Sequence, residues 1–194
     1  MGMTVKGKHL GVLIATALMA GVTAVNAADP PTIKSLLKPA VFQKIIEDQE
    51  VMVNARLAEV AGESGNSTLR KYSYYGAMKV HASLKRTRAA LTDYPLYGRI
   101  IPFVDQAEYN ASTQTLKVGG GYLGFRLEST VRFSQKGERW LGYRIIGGHF
   151  EGLTGDMIFE TLGEKGTLVL FRGELTGRQW PPRWIIERGA EFVF

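Results

Sequence analysis

His149-Phe150-Glu151 is the arrangement in this chain best suited to acid–base work. Residues two apart on a strand share a face, and an imidazole beside a carboxylate can move a proton near neutral pH. His149 is therefore the candidate catalytic residue. The other histidines, His9 and His81, form no His-x-x-x-His or His-Glu-x-x-His pattern, and cysteine is absent, so no metal site is expected. The chain has no Gly-x-Ser-x-Gly and no Ser-x-x-Lys with its companion motifs, so no nucleophile announces itself. Gly119-Gly-Gly-Tyr-Leu-Gly124 has the spacing of a dinucleotide fingerprint, but that fingerprint needs a helix directly after the glycines. Here Phe125 to Phe133 alternates as a strand, so the glycines suit a bulge or a sharp sheet bend, and no cofactor is expected.

The elements that must position these residues are legible from periodicity. Asp29-Pro-Pro-Thr32 is a linker, and residues 33–50 are helical in spacing with Pro39 interrupting. Residues 51–60 and 72–82 read as two strands around the turn Gly62-Glu-Ser-Gly-Asn-Ser67. Ser83 stands as a helix cap before Leu84, Ala89, Ala90 and Leu91. A second short helix begins at Tyr94-Pro95, capped by Asp93, and ends before Pro102. About six antiparallel strands follow, punctuated by Gly137, Gly147-Gly148 and the hairpin turn Leu162 to Gly166. Residues 181–194 suggest a closing helix, weakened at Gly189.

Alternation assigns an apolar inner face to Leu116, Val118, Tyr122, Phe125, Leu127, Val131, Phe133, Tyr143, Met157, Phe159, Val169 and Phe171. Arg126, Arg132 and Arg144 fall on the wet side. Pockets for apolar ligands are lined in this way, with a few polar groups for orientation. Tyr97, Tyr143 and Arg172 are the candidates for those polar points.

Residues 1–27 are set aside as a signal peptide: Lys6 and Lys8 precede an uncharged run from Leu10 to Val25, and Val25-Asn26-Ala27 offers small residues to a signal peptidase. An uncleaved anchor is the alternative. The organisation expected is 1–27 leader, 28–50 linker and helical segment, and 51–194 ligand-binding domain, acting in the periplasm. The net charge of +6 falls to +4 without the two leader lysines. That charge is compatible with transient contact at an anionic membrane surface, whereas no basic stripe points to nucleic acid. Lys85, Arg86 and Arg88 are the densest cluster and read as the solvated face of a helix.

Ala89-Ala-Leu-Thr-Asp-Tyr-Pro-Leu-Tyr-Gly-Arg-Ile-Ile-Pro-Phe-Val104, together with Gly148-His-Phe-Glu-Gly-Leu-Thr-Gly-Asp-Met157 and Gly166-Thr-Leu-Val-Leu-Phe171, resembles the START-like (SRPBCC, helix-grip) superfamily. That superfamily includes the polyketide cyclase/dehydrase and coenzyme Q-binding families. The resemblance implies an α+β fold with a curved antiparallel sheet wrapped around a C-terminal helix and a ligand cavity between them. It implies a hydrophobic small-molecule ligand (lipid, quinone or polycyclic isoprenoid), with a cyclase/dehydrase-type enzyme as the alternative. Ligand-lining residues are then Tyr97, Tyr122, Phe125, Leu127, Phe133, Tyr143, Met157, Phe159 and Phe171. The segment 33–50 is available to close the cavity from below. An outer-membrane barrel is a third possibility, raised by the terminal Phe192-Val-Phe194 and opposed by Pro181-Pro182 and the basic helix.

Overall fold

The computed structural model describes residues 29–49, 51–62, 68–122 and 124–177. The expected leader and the expected closing helix over 181–194 lie outside the described residues. Eight strands form one curved antiparallel sheet: β1 Met52–Ala61, β2 Thr68–Val80, β3 Val104–Asn110, β4 Thr115–Tyr122, β5 Phe125–Gly137, β6 Trp140–Gly148, β7 Thr154–Leu162 and β8 Gly166–Gly177. Their order across the sheet is β1-β2-β8-β7-β6-β5-β4-β3. The last strand is thereby inserted between the second and the seventh. β1 and β3 are unpaired edges, so the sheet is open and a closed barrel is not what the described strands form.

Helices fill the gaps that periodicity marks. Thr32 Oγ1 accepts from the Ser35 N–H at 3.3 Å and starts α1, Ile33–Leu36. Lys38 is extended because a proline follows, and Pro39 then opens α2, Pro39–Gln43. A π-helical turn, Lys44–Asp48, ends at Gln49, whose φ is 58°. α3 spans Leu84–Leu91, and a 3₁₀ turn at Tyr94–Leu96 runs into α4, Tyr97–Ile100. The expected side-chain caps are not made: neither Ser83 nor Asp93 gives a capping hydrogen bond. Instead the Ser83 carbonyl accepts from the Thr87 N–H at 2.9 Å.

The sheet separates two apolar layers. On the inner face Leu141, Met157, Phe159 and Val169 are buried beneath Leu84 and Leu91 of the α3 unit. On the outer face Ala77, Ile158, Leu168 and Leu170 are buried beneath Ile33, Leu37 and Ile45. β8 therefore has Val169 facing one layer and Leu168 and Leu170 facing the other. That accounts for its unbroken apolar run where alternation would otherwise be expected. The N-terminal segment consequently sits on the side opposite α3. It does not close the inner face, as the sequence had left open; Ile33 and Ile45 are each 1% exposed against the outer layer. Burying each contributes about 1.5–3 kcal/mol.

The glycine triplet acts as the sequence predicts. The β3–β4 register shifts between Val104 and Gln106, opposite Gly119 and Gly120. A Cβ on Gly120 would lie 1.9 Å from the Phe103 carbonyl oxygen, so any other residue would drive the start of β3 off the sheet.

Candidate functional site

One continuous row of cross-strand partners runs over the inner face: Ala55 on β1, Tyr74 on β2, Gly173 on β8, Gly155 on β7, Tyr143 on β6 and Phe133 on β5. The two glycines are paired with each other at its centre and have a tyrosine on either side. With no side chains between them, the rings fold down over the bare backbone and their hydroxyls meet. A Cβ on Gly155 would fall 2.3 Å from the Tyr143 hydroxyl oxygen, and one on Gly173 would fall 2.8 Å from the Tyr74 ring. Aromatic cover over sheet glycines of this kind replaces the side-chain packing that glycine forgoes.

The hydroxyls are ordered by what lies behind them. Tyr143 donates to the Arg172 carbonyl at 2.8 Å, so within the pair Tyr74 donates and the Tyr143 oxygen accepts. A buried hydroxyl without a partner costs free energy, whereas this chain of donors satisfies both. Burial pushes the Tyr74 hydroxyl up and the Tyr143 hydroxyl well up from their ordinary range. Burial, with Tyr74 alongside, pushes Tyr72 up to about 12. All three stay protonated at physiological pH. Tyr72 stacks on Tyr74 at 5.6 Å and tilts against Phe150 at 6.5 Å, extending the aromatic surface toward Leu153 and Leu175.

The far end of the row rests on the helical unit. Tyr94 is 4% exposed and stacks on Phe133 at 4.3 Å, meeting Tyr97 edge-on at 5.9 Å. Tyr94 thus packs beneath the second helix. The inner positions of β6, β7 and β8 carry no Asp, Glu, His, Lys or Arg. Among the described residues, no group of three His, Cys, Asp or Glu side chains is placed to hold a metal.

The residues singled out from sequence separate into groups. Phe133, Tyr143 and Phe171 lie half-buried on the inner face, in the row or one step from it. Leu127 is also half-buried and pairs with Gly120. Met157 and Phe159 are 3% and 1% exposed and belong to the solid core under α3. Tyr97 donates its hydroxyl to the Leu91 carbonyl at 2.7 Å, tying the two helices together, and burial pushes it up to about 12. Tyr122 and Phe125 pair with each other in the ladder at the β4–β5 turn. Arg172 departs from its expected role as an inward polar point. Its guanidinium reaches Asp156 on the outer face at 3.1 Å, and only its carbonyl serves the tyrosine pair.

His149 is exposed, in the turn between β6 and β7. Its Nδ1 accepts from the Glu128 N–H at 3.0 Å, and its carbonyl accepts from the Ser129 hydroxyl at 2.6 Å. Glu151 lies in the same turn and is also exposed, so the two do not share a strand face. Sequence reasoning passed over Tyr74, Gly155 and Gly173. The available signal was alternation, which places all three inward, but their meeting depends on β8 inserting between β2 and β7.

No family model matches the chain, and no curated protein matches it. Solved structures do. A START superfamily protein from Mycobacterium smegmatis superposes with a TM-score of 0.52 at 14% identity, over 62% of this chain and 88% of that one. The Zhui aromatase/cyclase from Streptomyces sp. R1128 gives 0.50 at 16% identity, over 63% and 82%. A conserved protein from Geobacillus kaustophilus gives 0.50 at 9% identity, over 61% and 86%. The fold is the START-like, helix-grip fold, α+β with a curved and unclosed antiparallel sheet.

Proposed function

We propose that this chain binds a hydrophobic small molecule against the inner face of its sheet, and that it does so in the periplasm after export behind residues 1–27. The observation that carries the reading is the aromatic row itself. It is a broad, half-buried apolar surface with one hydrogen-bonded hydroxyl pair, reached by α3 at its Phe133 end, where Phe133 packs in one cluster with Leu84 and Leu91. Apolar walls with a few fixed polar groups are what a pocket for a lipid, quinone or polycyclic isoprenoid needs. Fold likeness points in the same direction but does not choose a ligand or an activity. A cyclase/dehydrase-type enzyme would use the same surface, with tyrosine hydroxyls as its polar groups, because His149 is not brought to it.

The test is native mass spectrometry of the protein purified from its own host, with solvent extraction of bound material. A stoichiometric apolar molecule on a chain whose mass lacks residues 1–27 is the expected result. A protein that emerges empty and binds no apolar fluorescent probe at micromolar concentration sinks the ligand reading. An intact mass retaining residues 1–27 would replace export by anchoring.

A further inference from the structure

We propose that the outer face of the sheet carries a second site, built by Arg132 and Arg144, that binds an oxyanion of the phosphate class. The two arginines are direct cross-strand partners on β5 and β6, and both are exposed. Like charges placed opposite one another on a sheet repel, so such a pair is a standing cost unless an anion neutralises it. Among the described residues neither arginine forms an ion pair. The nearby acids are engaged by other cations. Asp156 is shared by Lys136 at 2.8 Å and Arg172 at 3.1 Å, and also accepts from the Trp140 Nε1–H at 2.8 Å. Glu174, two strands from Arg144 along the same row, is taken by Lys71 at 2.6 Å.

The arginines also border a shallow, open depression. A pocket of about 240 Å³ is lined by Arg132, Ser134, Lys136, Gly142, Arg144 and Thr154, and is completed by Tyr143 and Gly155, whose side-chain positions belong to the inner face. Gly142 makes the floor: a Cβ there would come within 2.6 Å of the Lys136 chain and 2.7 Å of the Ser134 hydroxyl. The lining therefore offers two guanidinium groups, the hydroxyls of Ser134 and Thr154, and the Lys136 ammonium that Asp156 already neutralises. Guanidinium groups recognise phosphate and carboxylate through paired, charge-assisted hydrogen bonds, and hydroxyls complete the shell. The two arginines alternate with Phe133 and Tyr143 along β5 and β6 and so stand on the face opposite the tyrosine rings, which lets their replacement be read separately from the hydrophobic-ligand reading.

Inorganic phosphate is the probe, titrated by calorimetry at low ionic strength into the wild type, R132Q/R144Q, and a charge-matched control K85Q/R86Q on α3. The expected result is saturable binding to wild type and control, weakened about tenfold or more in R132Q/R144Q, since each charge-assisted hydrogen bond is worth about a factor of ten. Absence of phosphate binding by the wild type, or an equal loss in the control, overturns the site. The source of the oxyanion is read from sedimentation with phosphatidylglycerol and phosphatidylcholine vesicles. Binding to the former that depends on Arg132 and Arg144 assigns a lipid headgroup, while phosphate binding without vesicle binding assigns a free anion.

Discussion

At the scale of single residues, Gly155 is where the inner face is most exacting. Its place under Tyr143 and against the Arg172 carbonyl, both 2.3 Å from a notional Cβ, leaves no room for a methyl group. Gly155→Ala is expected to lose about 1–3 kcal/mol of stability in urea melts, through displaced ring and bent strand. Gly147→Ala has open space around it and is expected to stay within about 0.5 kcal/mol. Equal losses in the two variants would contradict the account of the tyrosine pair. Tyr143 was readable as an inward residue from alternation alone. Its partner was not, because Tyr74 lies 69 residues away and reaches it over two intervening strands. Arg172 shows the complementary failure. Its neighbours Leu170 and Phe171 face opposite layers, so a local apolar pattern could not say which way the guanidinium points.

At the scale of elements, the N-terminal segment is an outer-layer brace. Ile33, Leu37 and Ile45 cover Ala77, Ile158, Leu168 and Leu170, and the Ile33 N–H is held by the Glu160 carboxylate at 2.8 Å. Ile45→Ala is expected to cost about 2–5 kcal/mol in chemical denaturation, from lost burial and the cavity left behind. Under conditions where the variant is folded, its affinity for an apolar probe should change by less than about twofold, because the brace and the aromatic row are on opposite faces. A large loss of probe binding in folded Ile45→Ala would mean that the segment contributes to the pocket. The short helices were legible from Pro39, Pro95 and the spacing of Leu84 and Leu91, and the bulge from the glycine triplet. The side on which a helix docks was not, since an amphipathic segment declares that it covers something without declaring which layer.

At the scale of the whole molecule, buried tyrosines and one shared aspartate set the pH range. Tyr72 and Tyr97 are each pushed by burial up to about 12, so the folded chain keeps protons that the unfolded chain releases near 10. Their contribution is fully present below about pH 10 and is lost as pH rises through 12. Asp156 runs the other way: burial raises its carboxyl, but Lys136, Trp140 and Arg172 outweigh that and hold it below 3.8. Its contribution is present above that value and fades as pH falls further. Urea midpoints should therefore be flat from about pH 5 to 9 and fall on both sides, with the alkaline fall tracking tyrosinate absorbance. A midpoint unchanged at pH 11.5 would contradict the burial of these rings. The sequence by itself determined the strand and helix order, the apolar inner face, the glycine bulge and the likeness to a helix-grip protein, because period, proline and glycine act over a few residues. Only the tertiary structure decided that β8 inserts between β2 and β7, that Tyr74 and Tyr143 meet over paired glycines, that Arg132 and Arg144 stand opposed with no acid paired to them among the described residues, and that the N-terminal segment braces the outer face. Those outcomes depend on strand order and on which side of the sheet an apolar stripe is buried, and both are settled by long-range packing that no local pattern encodes.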